Sequence, residues 1–559
     1  MTALDWTVLA VYLVGIVAFG MWSGRGSKGM DEFFLAGRTM RWWAIGLSVM
    51  ATQISAITFV GTTGQAYTDG MRFLVVYFGL PIAMVIICAT LVPFFYRARV
   101  FTAYEYLEKR FDARTRTLTS LLFLCGRGLS VGVTLYAPSL VLAVILGWSE
   151  NATILVMGLS TIVYVVYGGN RSVIWTDVVQ MALIWFGIFL CVGLAVARLP
   201  EQVSLRDALA VAQAAGRLQV MDTSTSLQKP YTLWSGLIGG LFLALSYFGT
   251  DQSQVQRYLA GKSLTQSRLS LLFNAFVKVP MQFMILLTGA LVFVFYHFTA
   301  PPLLWNAPAL ARLEKSAPPA ELQAVRDEFT RDYELRRAAA ALLAADRAQA
   351  EPYRAAQRAL DGARAKVVAL EERVSGVPYN DTNYIFPTYI LATLRGGLAG
   401  LVIAVIFAAA MSTLSGELNS LATATMVDFF KRYVRPVASD AQDLLASRIC
   451  TALWGAFAML VALRARQLGS AIETVNRFGS YVYGPILGVF ALAVLTRVRA
   501  RPAFIGILCG EAVVAALSIT NAVHWLWFNV FGALTVVACG LLIDALTRSP
   551  SAAEGVRTS

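Results

Sequence analysis

Hydroxyl and carbonyl oxygens are concentrated in two apolar stretches of this chain, and oxygen is the ligand that hard cations bind. The first stretch, 42–64, reads WWAIGLSVMATQISAITFVGTTG and is long enough to cross a bilayer, but its middle is small and polar. Because lipid cannot satisfy a free backbone carbonyl, this middle predicts a helix that unwinds at the midplane and offers its carbonyls to a ligand. The alternative is an intact helix that packs on its neighbours through small residues and hydroxyl hydrogen bonds.

The second stretch, 407–420, reads FAAAMSTLSGELNS. Helical spacing places Ala409, Ser412 and Thr413 on one face, and Ser415 lies one i+3 step beyond Ser412. Hydroxyls and carbonyls at a helix break suit sodium without a formal negative charge. Hydroxyl side chains inside a span more often bond back to the carbonyl four residues earlier, so the motif alone fits both interpretations.

Two ionisable side chains fall inside apolar segments. Asp177, in GGNRSVIWTDVVQ, lies near the start of a span, where a carboxylate can bind a cation or relay a proton; the alternative is an interfacial residue or a helix cap. Arg127 lies within the run from Leu121 to Leu146, and burying its charge in lipid costs at least ~2.5–3.5 kcal/mol. A guanidinium binds a carboxylate through two hydrogen bonds, which indicates an anionic substrate; the alternative is a structural ion pair.

The elements that position these residues must be membrane helices. The sequence is 57% hydrophobic and 14% charged, with a mean hydropathy of +0.63, far too apolar for a soluble chain of 559 residues. We therefore predict an all-α polytopic membrane protein with about thirteen transmembrane helices. The predicted spans are 4–22, 42–65, 73–96, 118–147, 151–168, 174–197, 232–250, 271–298, 385–416, 446–466, 470–497, 503–520 and 522–546.

The charged residues between the spans predict the orientation. Lysine and arginine are frequent in alternate loops, which we assign to the cytoplasm, although the outer loop 198–231 also carries four basic residues. The N-terminus then faces outwards and the C-terminus inwards, in the plasma membrane (the inner membrane of a bacterium). The net charge of +13 therefore predicts lipid contact and no nucleic-acid partner. Six cysteines in apolar runs and two distant histidines have no metal-ligand spacing, so sodium is the only metal that we expect.

One long segment, 300–377, is polar, charged and alanine-rich. Apolar residues recur in it at helical spacing on both sides of Glu351-Pro352, which predicts two amphipathic helices folded back as a hairpin outside the membrane. We interpret this insertion as a solvated, salt-bridged pair of helices; a lid or a partner-binding surface is the alternative.

Several motifs, taken in order, resemble the sodium:solute symporter family, which includes the sodium–glucose cotransporters. They are ATQISAITFVGTTG (51–64), TAYEYLEKRF (102–111), TLYAPSLVL (134–142), GGNRSVIWTDVVQ (168–180), TDQSQVQRYL (250–259) and AAAMSTLSGELNSLATATMVD (408–428). The resemblance implies a LeuT-type fold with two inverted repeats of five helices, one extra helix before them and two after. The implied divisions are 1–41, a first repeat at 42–197, a loop at 198–231, a second repeat at 232–497 interrupted by 300–377, two helices in 498–546 and a cytoplasmic tail at 547–559.

The resemblance also implies which residues bind sodium. The main site would take carbonyls from Ala51, Ile54 and Ala409 and hydroxyls from Ser412 and Thr413. A second sodium site, found in some members, would use Asp177, Ser412 and Ser415. Gly416 stands where that second site expects a further serine, which leaves the sodium stoichiometry open.

The substrate cavity implied by the resemblance includes hydrogen-bonding residues, two aromatic walls and the mid-span arginine, namely Gln53, Ser55, Thr58, Phe73, Tyr77 and Arg127. The sialic acid branch is similar in having such an arginine, and the monocarboxylate branch is similar in YAPSLVL and AYEYLEKRF. The sugar branch is the weakest match, since no acidic residue lies near position 77.

We therefore expect a monomeric sodium-coupled symporter, not an enzyme, that imports a small solute bearing a carboxylate. The alternatives are a symporter of sugars or other neutral solutes, a transporter-like membrane sensor, an ion conduit, and proton coupling through Asp177.

Overall fold

The computed structural model describes residues 1–26, 28–201, 203–394, 396–465 and 471–547, except for the side chains of 471–478 and 480. These residues form helices and no strand. The helices are Ala3–Ser23, Met30–Leu35, Ala36–Arg38, Trp42–Gln53, Ile57–Gly61, Thr62–Asp69, Met71–Tyr77, Leu80–Ala89, Leu91–Ala98, Ala103–Arg110, Ala113–Leu146, Glu150–Ala197, Leu205–Ala214, Ser235–Gly239, Gly240–Gly249, Gln252–Leu259, Leu264–Phe298, Ala307–Ser316, Pro319–Ala345, Arg347–Gln349, Ala350–Ser375, Thr382–Thr393, Leu398–Ala424, Thr425–Val434, Asp440–Ala465, Ala471–Leu495, Ala500–Thr520, Trp525–Trp527 and Phe528–Thr547.

Within this described part, nine helical segments are long and apolar enough to cross a membrane, and one bent pair adds a tenth. Ser235–Gly249 and Tyr481–Leu495 are apolar but shorter. The chain is thus an all-helical, multi-pass membrane protein, as predicted, whereas the count of thirteen spans is not confirmed. The predicted tail lies outside the described residues apart from Thr547.

The helix Glu150–Ala197 has 48 residues, or about 72 Å at ~1.5 Å per residue, more than a single crossing needs. Its backbone is non-helical at Gly169, where φ is 57° and ψ is −150°. A Cβ at this position would lie 2.3 Å from the carbonyl oxygen of Phe33, so only glycine fits. The kink falls between the two spans that the sequence predicts here.

The stretch around residue 54 is a broken helix, as its polar middle predicts. Trp42–Gln53 ends there, and a second helical segment covers Ile57–Asp69, bent by 65° from the first. We call the two pieces the broken span. Its second half packs against the backbone of Thr382–Thr393, because a Cβ on Gly64 would lie 2.2 Å from the carbonyl oxygen of Thr382.

The predicted span 385–416 is wrong in its bounds. Thr382–Thr393 is a separate helix, and Leu398–Ala424 begins after Gly396 and Gly397, which have φ of 66° and 91°. Apolar periodicity continues through this break, so the sequence pattern does not reveal it. Leu398–Ala424, which we call the facing helix, is central to the bundle: every residue from Val402 to Ala424 is buried.

The insertion at 300–377 contains a helical hairpin. Pro319–Ala345 and Ala350–Ser375 pack together through Phe329, Tyr333, Leu360 and Ala363. Ion pairs such as Lys366–Glu328, at 2.6 Å, join the two helices at the surface. A shorter helix, Ala307–Ser316, precedes them and packs on the second. We call the face of the bundle that carries this segment the insertion face.

Candidate functional site

The break in the broken span is held open by local hydrogen bonds. The helix ends where the Ile54 amide still donates to the carbonyls of Met50 and Ala51, at 3.0 and 3.2 Å. Ser55 then begins the second half: its Oγ accepts from the Thr58 amide at 3.1 Å and lies 3.2 Å from Thr58 Oγ1. This is the hydrogen bond of a helix cap, and it fixes where the backbone becomes non-helical.

The facing helix meets the broken span through a hydroxyl. Ser412 Oγ lies 3.0 Å from the carbonyl oxygen of Ala51 and 3.1 Å from that of Ala409, while Thr413 Oγ1 donates to Ala409 at 3.1 Å. Ala51, Ala409 and Ser412 are wholly buried. A serine hydroxyl has one proton, so it can satisfy only one of the two carbonyls at a time. The cluster is therefore rich in oxygen and poor in protons, which favours a cation.

Asp177 lies in a different environment from the one expected for a second sodium site. Its Oδ2 accepts from Ser48 Oγ at 2.6 Å and lies 4.0 Å from Nη2 of Arg257. No hydrogen bond joins it to Ser412 or Ser415 in the described residues; Ser415 Oγ donates instead to the Ser412 carbonyl at 2.9 Å. The carboxylate is therefore paired with a guanidinium from the chain itself.

Gly416 explains how Arg257 fits there. A Cβ at this position would lie 2.4 Å from Nη2 of Arg257. The guanidinium also donates to Oδ1 of Asn170 at 2.7 Å and is 1% exposed as a residue. Because position 416 is a glycine and not the serine that the resemblance expects, the Arg257 guanidinium has room beside Asp177.

A cavity of about 990 Å³ opens on the insertion face and reaches the break. Thr58 and Phe73 line it, together with outer residues such as Asn380 and Trp525. The Tyr77 ring stands edge-on to Phe73 with centroids 6.0 Å apart. The structure therefore brings together Thr58, Phe73 and Tyr77, with Ser55 bonded to Thr58 beneath them.

A further ionisable residue, which is not among the predicted site residues, lies beside Tyr77. Lys278, in the helix Leu264–Phe298, is wholly buried, and its Nζ has no hydrogen-bond partner in the described part of the chain. Nζ lies 5.1 Å from the centroid of the Tyr77 ring. Gln53 also has an unpartnered buried oxygen, Oε1. The sequence could have indicated Lys278, because it lies inside the predicted span 271–298 and an ionisable residue within a span is a functional candidate.

Arg127 does not face this cavity. Its Nε donates to Asp251 Oδ2 at 2.8 Å and its Nη1 to Glu417 Oε1 at 3.0 Å. The guanidinium also stacks near the rings of Tyr247 and Tyr483, at 5.1 and 5.5 Å. In this conformation the arginine forms a buried ion-pair cluster between helices, which was the structural alternative to substrate binding.

An all-helical membrane bundle with an oxygen-rich break in a buried span, faced by hydroxyls of a second helix, has the architecture of an ion-coupled transporter. The model of the sodium:solute symporter family matches residues 33–313 and 361–510. The chain belongs to that family, as its motifs predict. The matched ranges leave out 314–360, which is most of the helical hairpin.

Individual relatives agree with this assignment. The chain is 26% identical to sodium-coupled monocarboxylate transporter 1 of Xenopus laevis over 94% of this chain and 73% of the relative. It is 25% identical to the sodium/sialic acid symporter SiaT of Proteus mirabilis, over 97% and 95%. It is 27% identical to the sodium/glucose cotransporter of Vibrio parahaemolyticus, over 90% and 83%.

One solved structure has the same fold throughout. A Na⁺-coupled sialic acid symporter in its substrate-bound outward-open state superposes with a TM-score of 0.77 at 24% identity, over 98% of both chains. The superposition confirms the predicted all-helical fold class, and the family model confirms the predicted family. Members of the family bind sodium and small solutes, and the relatives named above are transporters.

Proposed function

We propose that this protein is a sodium-driven importer of a small organic solute that bears a carboxylate, and not an enzyme. The observation that carries the proposal is the contact of 3.0 Å between Ser412 Oγ and the Ala51 carbonyl at the break. It joins the two helices that an ion would have to bridge.

Sodium would bind where the carbonyls of Ala51, Ile54 and Ala409 and the hydroxyls of Ser412 and Thr413 approach each other. These are neutral oxygens, the ligands that a hard cation prefers. Bound there, the ion would hold the broken span against the facing helix, and so favour the conformation in which the cavity is open. An ion shifts a conformational equilibrium only by its difference in affinity for the two states. Separating the two helices would take the Ala51 carbonyl away from the Ser412 hydroxyl, and the ion would then lose ligands.

One sodium ion per cycle is the stoichiometry that the Asp177 environment supports. The Arg257 guanidinium beside Asp177 supplies the positive charge that a second ion would bring. Two cations sharing one buried carboxylate without further ligands would repel each other strongly. The same pairing argues against Asp177 as a proton carrier.

The solute would bind between the break and the aromatic wall. Gln53, Ser55 and Thr58 offer hydrogen bonds, and Phe73 and Tyr77 offer apolar contact. Lys278 offers a buried cation that has no counterion among the residues that the structure describes. A buried ammonium without a partner is costly, and a substrate carboxylate would remove that cost. We therefore assign the carboxylate contact to Lys278, with Arg127 available only after its own ion pairs have opened.

The proposed transport path differs at its two ends, and this difference supports transport by alternating access. The cavity opens on the insertion face, and we infer that the ion-pair cluster of Arg127, Asp251 and Glu417 closes the path on the side away from that face. We place the insertion face outside the cell and the clusters of basic loops inside. Breaking the Arg127 pairs would then open the inward path.

Two relatives support a carboxylate: a monocarboxylate transporter and a sialic acid symporter. A neutral sugar is the second candidate, favoured by the similarity to a glucose cotransporter. The experiment is uptake into proteoliposomes of labelled lactate, sialic acid and glucose, each with an inward sodium gradient and with choline in its place. We expect sodium-dependent uptake of a carboxylate; uptake of all three at equal rates with choline would contradict sodium coupling.

A further inference from the structure

A second cavity, of about 440 Å³, lies between the insertion and the outer end of the broken span. Its lining includes the aromatic rings of Tyr67, Phe293 and Trp305 and three arginines, Arg217, Arg336 and Arg364. Tyr67 belongs to the broken span, and its ring stands edge-on to Trp305 with centroids 5.5 Å apart. Most of the helical hairpin, including Arg336, lies outside the family match, whereas Tyr67 and Arg217 lie inside it.

Arg336 is the residue that carries the inference, because it is 2% exposed and forms no ion pair with another described residue. Its Nη2 donates to the Tyr296 carbonyl at 2.6 Å and its Nη1 lies 3.5 Å from Gln357 Oε1. Its Nε has no hydrogen-bond partner, and no carboxylate in the described residues lies within ion-pair distance. Buried charges are normally paired, so an unpaired guanidinium beside a cavity indicates a site for an anion.

Arg217 contributes from the loop between two spans. Its Nε is likewise buried without a hydrogen-bond partner, and its guanidinium lies 4.7 Å from the centroid of the Phe293 ring. The Arg217 carbonyl accepts from the Met71 amide at 3.1 Å, directly after the broken span. This residue therefore brings a second cation to the cavity and is attached to the end of the broken span.

The other charged residues at the cavity are one arginine and two aspartates. Arg364 pairs with Asp381 at 2.9 Å, whereas Asp361 accepts from the neutral Gln357 amide at 2.8 Å and keeps its negative charge. The lining therefore carries three arginines against two aspartates, a net excess of one positive charge.

We propose that this cavity binds a small carboxylate anion with an apolar body. The carboxylate would accept hydrogen bonds from Arg336 and Arg217, and the body would contact the rings of Tyr67 and Trp305. Its occupant would connect the insertion to the outer half of the broken span. Binding here would therefore stabilise the conformation in which those two parts are in contact, separately from the transport cavity beyond Thr58.

The test is calorimetric titration of the full-length protein in detergent with benzoate, in sodium-free choline buffer of constant ionic strength. Neutral benzamide is the matched probe without a charge. We expect saturable binding of benzoate, and binding of benzamide that is at least about tenfold weaker, since a charged hydrogen bond is lost. No saturable benzoate binding, or equal binding of the two probes, would overturn the proposal.

Variants then locate the site. Arg336→Gln and Arg217→Gln should each weaken benzoate binding by about tenfold or more. Arg337→Gln, next in the helix but exposed and paired with Glu334, is the control and should bind as the wild type does. If Arg336→Gln does not fold, benzoate binding to Arg217→Gln still tests the site, because Arg217 is only half-buried. Unchanged affinity in Arg217→Gln, or loss of binding in Lys278→Gln, would place benzoate elsewhere and refute the assignment.

Discussion

Nη2 of Arg257 lies 4.0 Å from Oδ2 of Asp177, and both side chains are buried in the middle of the bundle. The sequence motif around Asp177 allows a second sodium site, but the guanidinium stands beside the carboxylate that this site would need. The relationship depends on Gly416, whose lack of a side chain makes room for Arg257.

If each molecule binds one sodium ion, the amount of bound sodium should rise hyperbolically with sodium concentration. Asp177→Asn removes the carboxylate from Arg257, which should lower the melting temperature, but the shape of the sodium titration should not change. The measurement is equilibrium binding of radioactive sodium as a function of sodium concentration in wild type and variant. A sigmoidal curve in the wild type that becomes hyperbolic in Asp177→Asn would show that a second ion binds there.

Gly416→Ala should destabilise the protein by about 1–3 kcal/mol, because the added methyl group forces Arg257 away from Asp177. The measurement is the free energy of unfolding, or the shift in melting temperature if unfolding is irreversible. Gly362→Ala is the matched control, since Gly362 is also helical and a Cβ there would meet no atom within 4 Å. Equal shifts in the two variants would contradict the tight contact at Gly416.

Arg127→Gln should destabilise the protein by about 3–5 kcal/mol, since it leaves Asp251 and Glu417 buried beside each other without a cation. Its melting temperature should fall clearly below that of Arg326→Gln, which breaks a pair with Glu314 at the surface and costs at most about 1 kcal/mol. A variant as stable as this control would contradict the buried ion pairs of Arg127 with Asp251 and Glu417.

Lys278→Gln should abolish binding of the transported carboxylate while sodium still stabilises the protein. The reason is that the variant removes the buried cation but leaves the oxygens around Ser412 untouched. Binding is measured by titration in saturating sodium, and Lys278→Arg should retain part of the affinity. Normal carboxylate affinity in Lys278→Gln would assign recognition to another residue.

Local features were predictable from the sequence. The polar residues around Gln53 predicted the break, and Ser412 and Thr413 were correctly expected on one helical face, because both depend on neighbours within a turn or two. The break after Thr393 was not predicted, since the apolar pattern runs on through Gly396 and Gly397. Contacts between residues far apart in the chain were also not predictable. Arg127 pairs with Glu417, which lies 290 residues further on, and the local spacing of residues does not indicate such a partner.

The most direct test of sodium coupling is equilibrium binding of radioactive sodium to the purified protein. Wild type should bind sodium saturably, and Ser412→Ala should weaken binding by about tenfold or more, because one ligand between the broken span and the facing helix is lost. Ser420→Ala, which removes a hydroxyl that donates to the Glu417 carbonyl of its own helix, should bind as the wild type does. A folded Ser412→Ala variant with unchanged sodium affinity would contradict the account.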